Sequence, residues 1–145
     1  MGRGSPDQGK AQVIMLDANI LVSAIIGVQT KRVLAAAIER GVTLGIPEPQ
    51  ILESSRVLIE KLGLSPEKAQ VALDAVTAVV APLGREFYGA KEDAARQRLH
   101  QRAQSDWPVL AAALTIDGGI WTHDRDFFGT GVPVWSSRNL KYAAA

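Results

Sequence analysis

Residues 106–126 read DWPVLAAALTIDGGIWTHDRD, and this stretch decides the fold class. Asp106, Trp107 and Pro108 open a helix: an acid at the cap position, then proline in the first turn, where its missing N–H costs nothing. An apolar run carries the helix to Ile116. Gly118 and Gly119 turn the chain into a short apolar strand, Ile120 to Thr122. A helix feeding a buried strand through a tight turn is half of a parallel α/β unit.

The rest of the chain repeats that alternation. Gln12 to Leu16 (QVIML) is a buried-strand run. Asn19 to Ile26 and Lys31 to Arg40 read as helices, the second stopped by Gly41. Val42 to Ile46 is a second strand, and Pro49 to Leu62 a helix ended by Gly63. Ser65, Pro66 and Glu67 start another helix, which stops near Thr77. Val79 to Pro82 is the expected third strand. A polar helix is expected from Glu86 to Arg102, and Val132 to Trp135 closes the sheet. Strands separated by helices imply parallel pairing with right-handed crossovers, hence a three-layer α/β sandwich.

The 145 residues suit one domain, placed at 11–142, and 47% apolar residues suffice for its core. Residues 1–10 (MGRGSPDQGK) are expected to be disordered. With no cysteine, disulfides and thiolate metal sites are excluded. With only two histidines, His100 and His123, a zinc site is not expected. A net charge of +1 leaves nucleic acid open, because a basic face can hide in a neutral total. The apolar run from Val13 to Val28 is interrupted by Asp17 and Asn19 and is too short for a bilayer. No membrane association and a cytoplasmic location are therefore expected.

In doubly wound folds, ligands bind beyond the carboxyl ends of the strands. Asp17 follows the first strand there and Asp124 the fourth. Asp126 lies slightly further on, Asp106 opens the helix before the fourth strand, and Glu53 lies early in the helix after the second. Carboxylates gathered together repel, and a hard divalent cation such as Mg²⁺ or Mn²⁺ removes the conflict. Such ions also activate water against a phosphodiester.

Each acid has a plainer reading. Asp17 alone could be a turn residue, Asp106 a helix cap, and Asp124 and Asp126 caps of the turn around Phe127. Glu53 points away from the apolar stripe Ile51, Leu52, Ser55, Leu58 and Leu62, as a solvated glutamate does. Asn19 could cap the first helix, Ser23 could be a small packing residue, and His123 reads as a surface residue. Trp121 and Trp135 read as core. The segment Arg85 to Arg102 holds five basic residues against three acids. Its Arg96, Arg98 and Arg102 suit either a phosphate path or a solvated face.

Four stretches carry a family resemblance: MLDANILVSAI (15–25), ILESSRVLIEKLGL (51–64), DWPVLAAAL (106–114) and IWTHDRDFFGTGVPVW (120–135). With them the chain resembles the PIN domain family of metal-dependent ribonucleases, and specifically its VapC-type toxins. The resemblance implies a parallel five-stranded sheet of order 3-2-1-4-5. It also implies Mg²⁺ or Mn²⁺ held by Asp17, Glu53, Asp106 and Asp124, with Asp126 as an accessory, and an RNA substrate. An antitoxin that inserts into the acidic cleft and a homodimer are implied as partners. Two other functions stay open: a non-catalytic RNA-binding or scaffold domain of the same fold, and a phosphoryl-accepting signalling domain. The latter needs a lysine after the last strand, where Trp135-Ser136-Ser137 supplies none.

Overall fold

A computed structural model describes residues 12–143. The expectation of a disordered segment over residues 1–10 lies outside these residues. Five parallel strands form one sheet in the order β3-β2-β1-β4-β5. They are β1 (Val13–Leu16), β2 (Thr43–Pro47), β3 (Ala81–Leu83), β4 (Gly119–Trp121) and β5 (Val134–Trp135). The helices are α1 (Ala18–Ile26), α2 (Val28–Glu39), α3 (Glu48–Arg56), α4 (Pro66–Thr77), α5 (Arg85–Tyr88), α6 (Glu92–Arg98) and α7 (Trp107–Thr115). This is the expected sandwich, with the order that the resemblance implied.

β1 is central and buried on both faces, as its unbroken apolar run requires. Ile14 and Leu16 pack into one core with α1, α2 and α4. Met15, between them, faces a second core with Ile120, Tyr88 and the residues of α7. α7 is buried almost all round, from Trp107 to Ala113, and its three successive alanines let it lie close against the sheet. Gly118, just ahead of β4, and Gly119, its first residue, are there for space. A Cβ on Gly118 would stand 2.3 Å from the Val13 carbonyl oxygen, and one on Gly119 would stand 2.9 Å from the Trp135 Nε1.

Three expectations need correcting. The third strand is displaced: α4 ends in backbone bonds from Val79 and Val80 to Val76, so these residues turn the chain and pairing starts at Ala81. The single polar helix from Glu86 to Arg102 is broken into α5, a 3₁₀ turn at Gly89–Lys91, α6, and a 3₁₀ segment at Gln101–Asp106. Buried Leu99, extended at ψ 143°, makes the main break. Finally, α3 buries Gln50, Ser54 and Leu58 (the last in a π-helical turn at Val57–Lys61), while Leu52 and Leu62 are exposed. A serine and a glutamine hold the inward face because α3 packs closely on the start of α1. There the Ser54 hydroxyl donates to the carbonyls of Gln50 (2.8 Å) and Ala18 (3.3 Å).

Among the described residues, no single helix is long and apolar enough to cross a membrane. α1 and α2 reach that length only together, and they meet at a 111° bend.

Candidate active site

Asp17 follows β1 directly, and its backbone N–H extends the ladder by donating to the Trp121 carbonyl at 3.1 Å. Its side chain is buried, with 4% exposure. Oδ1 accepts from the Ala18 N–H at 2.8 Å, so Asp17 does cap α1. Oδ2 accepts from the Thr122 hydroxyl at 2.8 Å and from the Asn19 amide at 3.3 Å. Burial raises its carboxyl above the usual aspartate value, and the Glu53 and Asp124 charges push the same way. The Thr122 and Ala18 hydrogen bonds act against that rise.

Thr122 was not among the residues expected to matter. It ends the β4 run, and its hydroxyl also accepts from the Asp124 N–H at 2.9 Å. One buried hydroxyl thus ties the loop carrying Asp124 to the carboxylate of Asp17. The signal was present in the sequence as the polar residue closing an otherwise apolar strand. Asp124 in turn accepts from the Asp126 N–H at 3.0 Å, as a cap of the turn at Arg125–Phe127. Asn19 is not a helix cap. It bridges Asp17 to the His123 N–H, which its Oδ1 accepts at 3.3 Å. His123 is exposed, as expected, and its ring meets the Ser137 hydroxyl at 3.2 Å.

Asp106 precedes the first residue of α7 but accepts no capping bond from it. A 3₁₀ segment runs straight into the helix and leaves Asp106 near φ −91°, ψ 8°, away from the extended geometry that capping uses. The capping explanation therefore fails. Its half-buried carboxyl is instead pushed up to about 7, chiefly by burial and then by the charges of Asp17, Glu53, Asp124 and Asp126. Glu53 is exposed on α3, and the Ser54 contact with α1 brings it within electrostatic reach of both Asp17 and Asp106.

All five expected acids thus share one electrostatic neighbourhood at the carboxyl edge of the sheet. They are not drawn to coordination distance. Among the described residues, no three His, Cys, Asp or Glu side chains stand close enough to hold an ion as they are.

The basic segment beside them is largely committed. Arg96 bonds Glu92 at 2.8 Å and, with Arg85, lies over the Trp107 ring. Arg98 donates to the Thr130 carbonyl at 2.9 Å. Arg102 grips Asp126 Oδ1 through two N–H groups, at 2.8 and 3.0 Å.

A PIN domain family profile matches residues 15–145, nearly the whole chain and every acid of the site. The chain belongs to the PIN domain family. Solved PIN-like structures share its fold at low identity. One belongs to the VapBC2 complex of Rickettsia felis bound to a DNA fragment from its promoter. The match has a TM-score of 0.65 at 17% identity, covering 86% of this chain and 98% of that one. Another is a toxin–antitoxin complex from Klebsiella pneumoniae, with a TM-score of 0.62, 19% identity, and coverage of 86% and 97%. A third is VapBC-1 from nontypeable Haemophilus influenzae, with a TM-score of 0.62, 15% identity, and coverage of 88% and 99%. No curated protein matches the sequence.

Proposed function

We propose that this PIN domain is a Mg²⁺- or Mn²⁺-dependent endoribonuclease of cytoplasmic RNA, and the toxin of a toxin–antitoxin pair. The observation that carries the reading is Asp106. Its carboxyl is half buried, uncapped, and raised to about 7 in a field of four other acids. A fold gains nothing in stability from such a residue, whereas cation binding needs it.

The donor set fits a hard cation: carboxylate oxygens, with no thiol in the chain. Asp17, Asp106 and Asp124 would hold the metal. Glu53 would serve as a further ligand or orient the attacking water, and Asp126 is the accessory acid. When bound, the cation supplies an activated water and charge neutralisation at a phosphodiester.

The protein's own contribution is positioning. Thr122 and Asn19 fix Asp17 Oδ2, and Thr122 fixes the Asp124 loop. Exposed Glu53 faces incoming solvent and substrate from the rim. An antitoxin would silence the site by neutralising these same acids. The structural likeness to toxin–antitoxin complexes supports that partner.

The test is single-stranded RNA cleavage by Asp17→Asn under matched Mn²⁺. The asparagine keeps the side-chain shape and one acceptor oxygen for Thr122 but loses the bond from the Ala18 N–H, so a thermal melt run alongside checks that the variant is folded. Cleavage is expected to fall by about a hundredfold or more, the upper range for perturbed metal sites. Undiminished cleavage would sink the reading. Calorimetric Mn²⁺ binding by the wild type with no cleavage of any RNA would favour the scaffold alternative.

A further inference from the structure

The chain is nearly neutral, with 16 basic and 15 acidic residues, yet one of its grooves is lined by charges of a single sign. A groove of about 540 Å³, none of whose lining residues is one of the five acids, lies between α2 and the C-terminal segment. Arg32 and Arg40 line it from α2, and Arg138 and Lys141 from the other wall, with Gln29 and Ser137 between them. Among the described residues, no carboxylate side chain lines it. Residues about a hundred positions apart in sequence thus line one groove.

Arg40 is structural. Its guanidinium donates to the Leu140 carbonyl at 2.9 Å and fastens a 3₁₀ turn, Leu140–Tyr142, onto α2. Arg32, Arg138 and Lys141 are exposed, and none makes an ion pair among the described residues. At the end of the same turn stands Tyr142, 71% exposed, with the Lys141 ammonium 5.3 Å from its ring centre. Cations along a groove with an exposed aromatic beside them are the elements that hold single-stranded nucleic acid: phosphates on the charges, a base on the ring.

The groove is also connected to the acids. Ser137 in its wall accepts from the buried Trp121 Nε1 at 3.0 Å and meets His123 Nε2 at 3.2 Å. His123 leads through Asn19 to Asp17. A strand held in the groove would therefore lie beside the cleft, on the side of β5.

We propose that this groove is the flanking subsite for the single-stranded RNA substrate, with Arg32, Arg138 and Lys141 binding phosphates and Tyr142 stacking a base. The inference rests on the ribonuclease reading for the nature of the ligand, but its test does not need cleavage. Fluorescence anisotropy in EDTA would follow a fluorescein-labelled oligouridine of about twelve nucleotides, within the span such sites cover. The R32Q/R138Q/K141Q variant is expected to weaken Kd by about tenfold, and to make the log–log salt dependence shallower by about two. Tyr142→Ala is expected to weaken Kd by about fivefold or more, with the salt slope unchanged. Binding in EDTA, where a divalent cation is sequestered and cleavage cannot proceed, separates this inference from the catalytic one. The proposal is overturned if the wild type does not bind the oligonucleotide, or if the triple variant keeps both its affinity and its salt slope. A triple variant that lost only a polyglutamate peptide, while holding RNA as before, would overturn it as well.

Discussion

The Thr122 hydroxyl donates to Asp17 Oδ2 at 2.8 Å, across 105 positions of sequence and the seam between the two central strands. That bond opposes the upward shift of the Asp17 carboxyl and couples it to the Asp124 loop. Thr122→Val keeps the shape and removes the donor, leaving a buried carboxylate oxygen without its best partner. A loss of about 1–3 kcal/mol in urea unfolding is expected at neutral pH, and Thr122→Ser should recover most of it. Equal stability of the valine variant would show that the bond contributes nothing.

The acids set a pH dependence whose sign is fixed. Asp106 has its folded pKa raised to about 7 from the ordinary 3.8, and the Asp17 carboxyl is raised too. The folded state therefore holds protons that the unfolded chain has released. In metal-free protein, stability should be lowest above pH 7 and rise as pH falls toward 4. Asp106→Asn should flatten much of this dependence. It should also stabilise the metal-free protein at pH 8 by about 1–2 kcal/mol, a figure reduced for the partial exposure of the carboxyl. Thermal melts of both proteins across that range decide it. A wild type more stable at pH 8 than at pH 5 would refute the sign.

Space at the start of β4 is limiting. Gly118→Ala would put a methyl against the Val13 carbonyl, a backbone atom that cannot rotate aside. The variant should lose about 2 kcal/mol or more in denaturant unfolding. Unchanged stability would mean that the β1–β4 seam gives way easily.

The contact of α3 with α1 places Glu53. Ser54→Ala should cost only about 1 kcal/mol, because the helices can still approach. Ser54→Leu overfills a fully buried position and should cost about 1–3 kcal/mol. It should also push Glu53 from the rim and reduce RNA cleavage more than the alanine variant does. Equal cleavage by the two would detach Glu53 from the site.

The sheet was legible because its central strands are short apolar runs bounded by turn residues, and Asp17 and Asp124 sit at their carboxyl ends. What was not legible depends on contacts distant in sequence. Asp106 reads locally as a cap, and only the 3₁₀ segment running into α7 shows that it caps nothing. The inward face of α3 reads as a leucine stripe, yet Leu52 is exposed and Ser54 is buried, because α1 leaves no room for a larger side chain. Thr122 stands out locally only as a polar residue closing an apolar strand; its bond to Asp17, like that of Asn19 to the His123 N–H, spans about a hundred positions and exists only once β1 and β4 are paired. The basic groove escaped for the same reason: Arg32 and Arg138 meet only after folding.

Everything proposed for this domain depends on the acids at the sheet edge forming a divalent-cation site. Crystals soaked in Mn²⁺ and measured at the manganese absorption edge test it most directly. The expected result is an anomalous peak bounded by the carboxylates of Asp17, Asp106 and Asp124. A fully soaked crystal with no peak there, or with manganese only at other carboxylates, would contradict it.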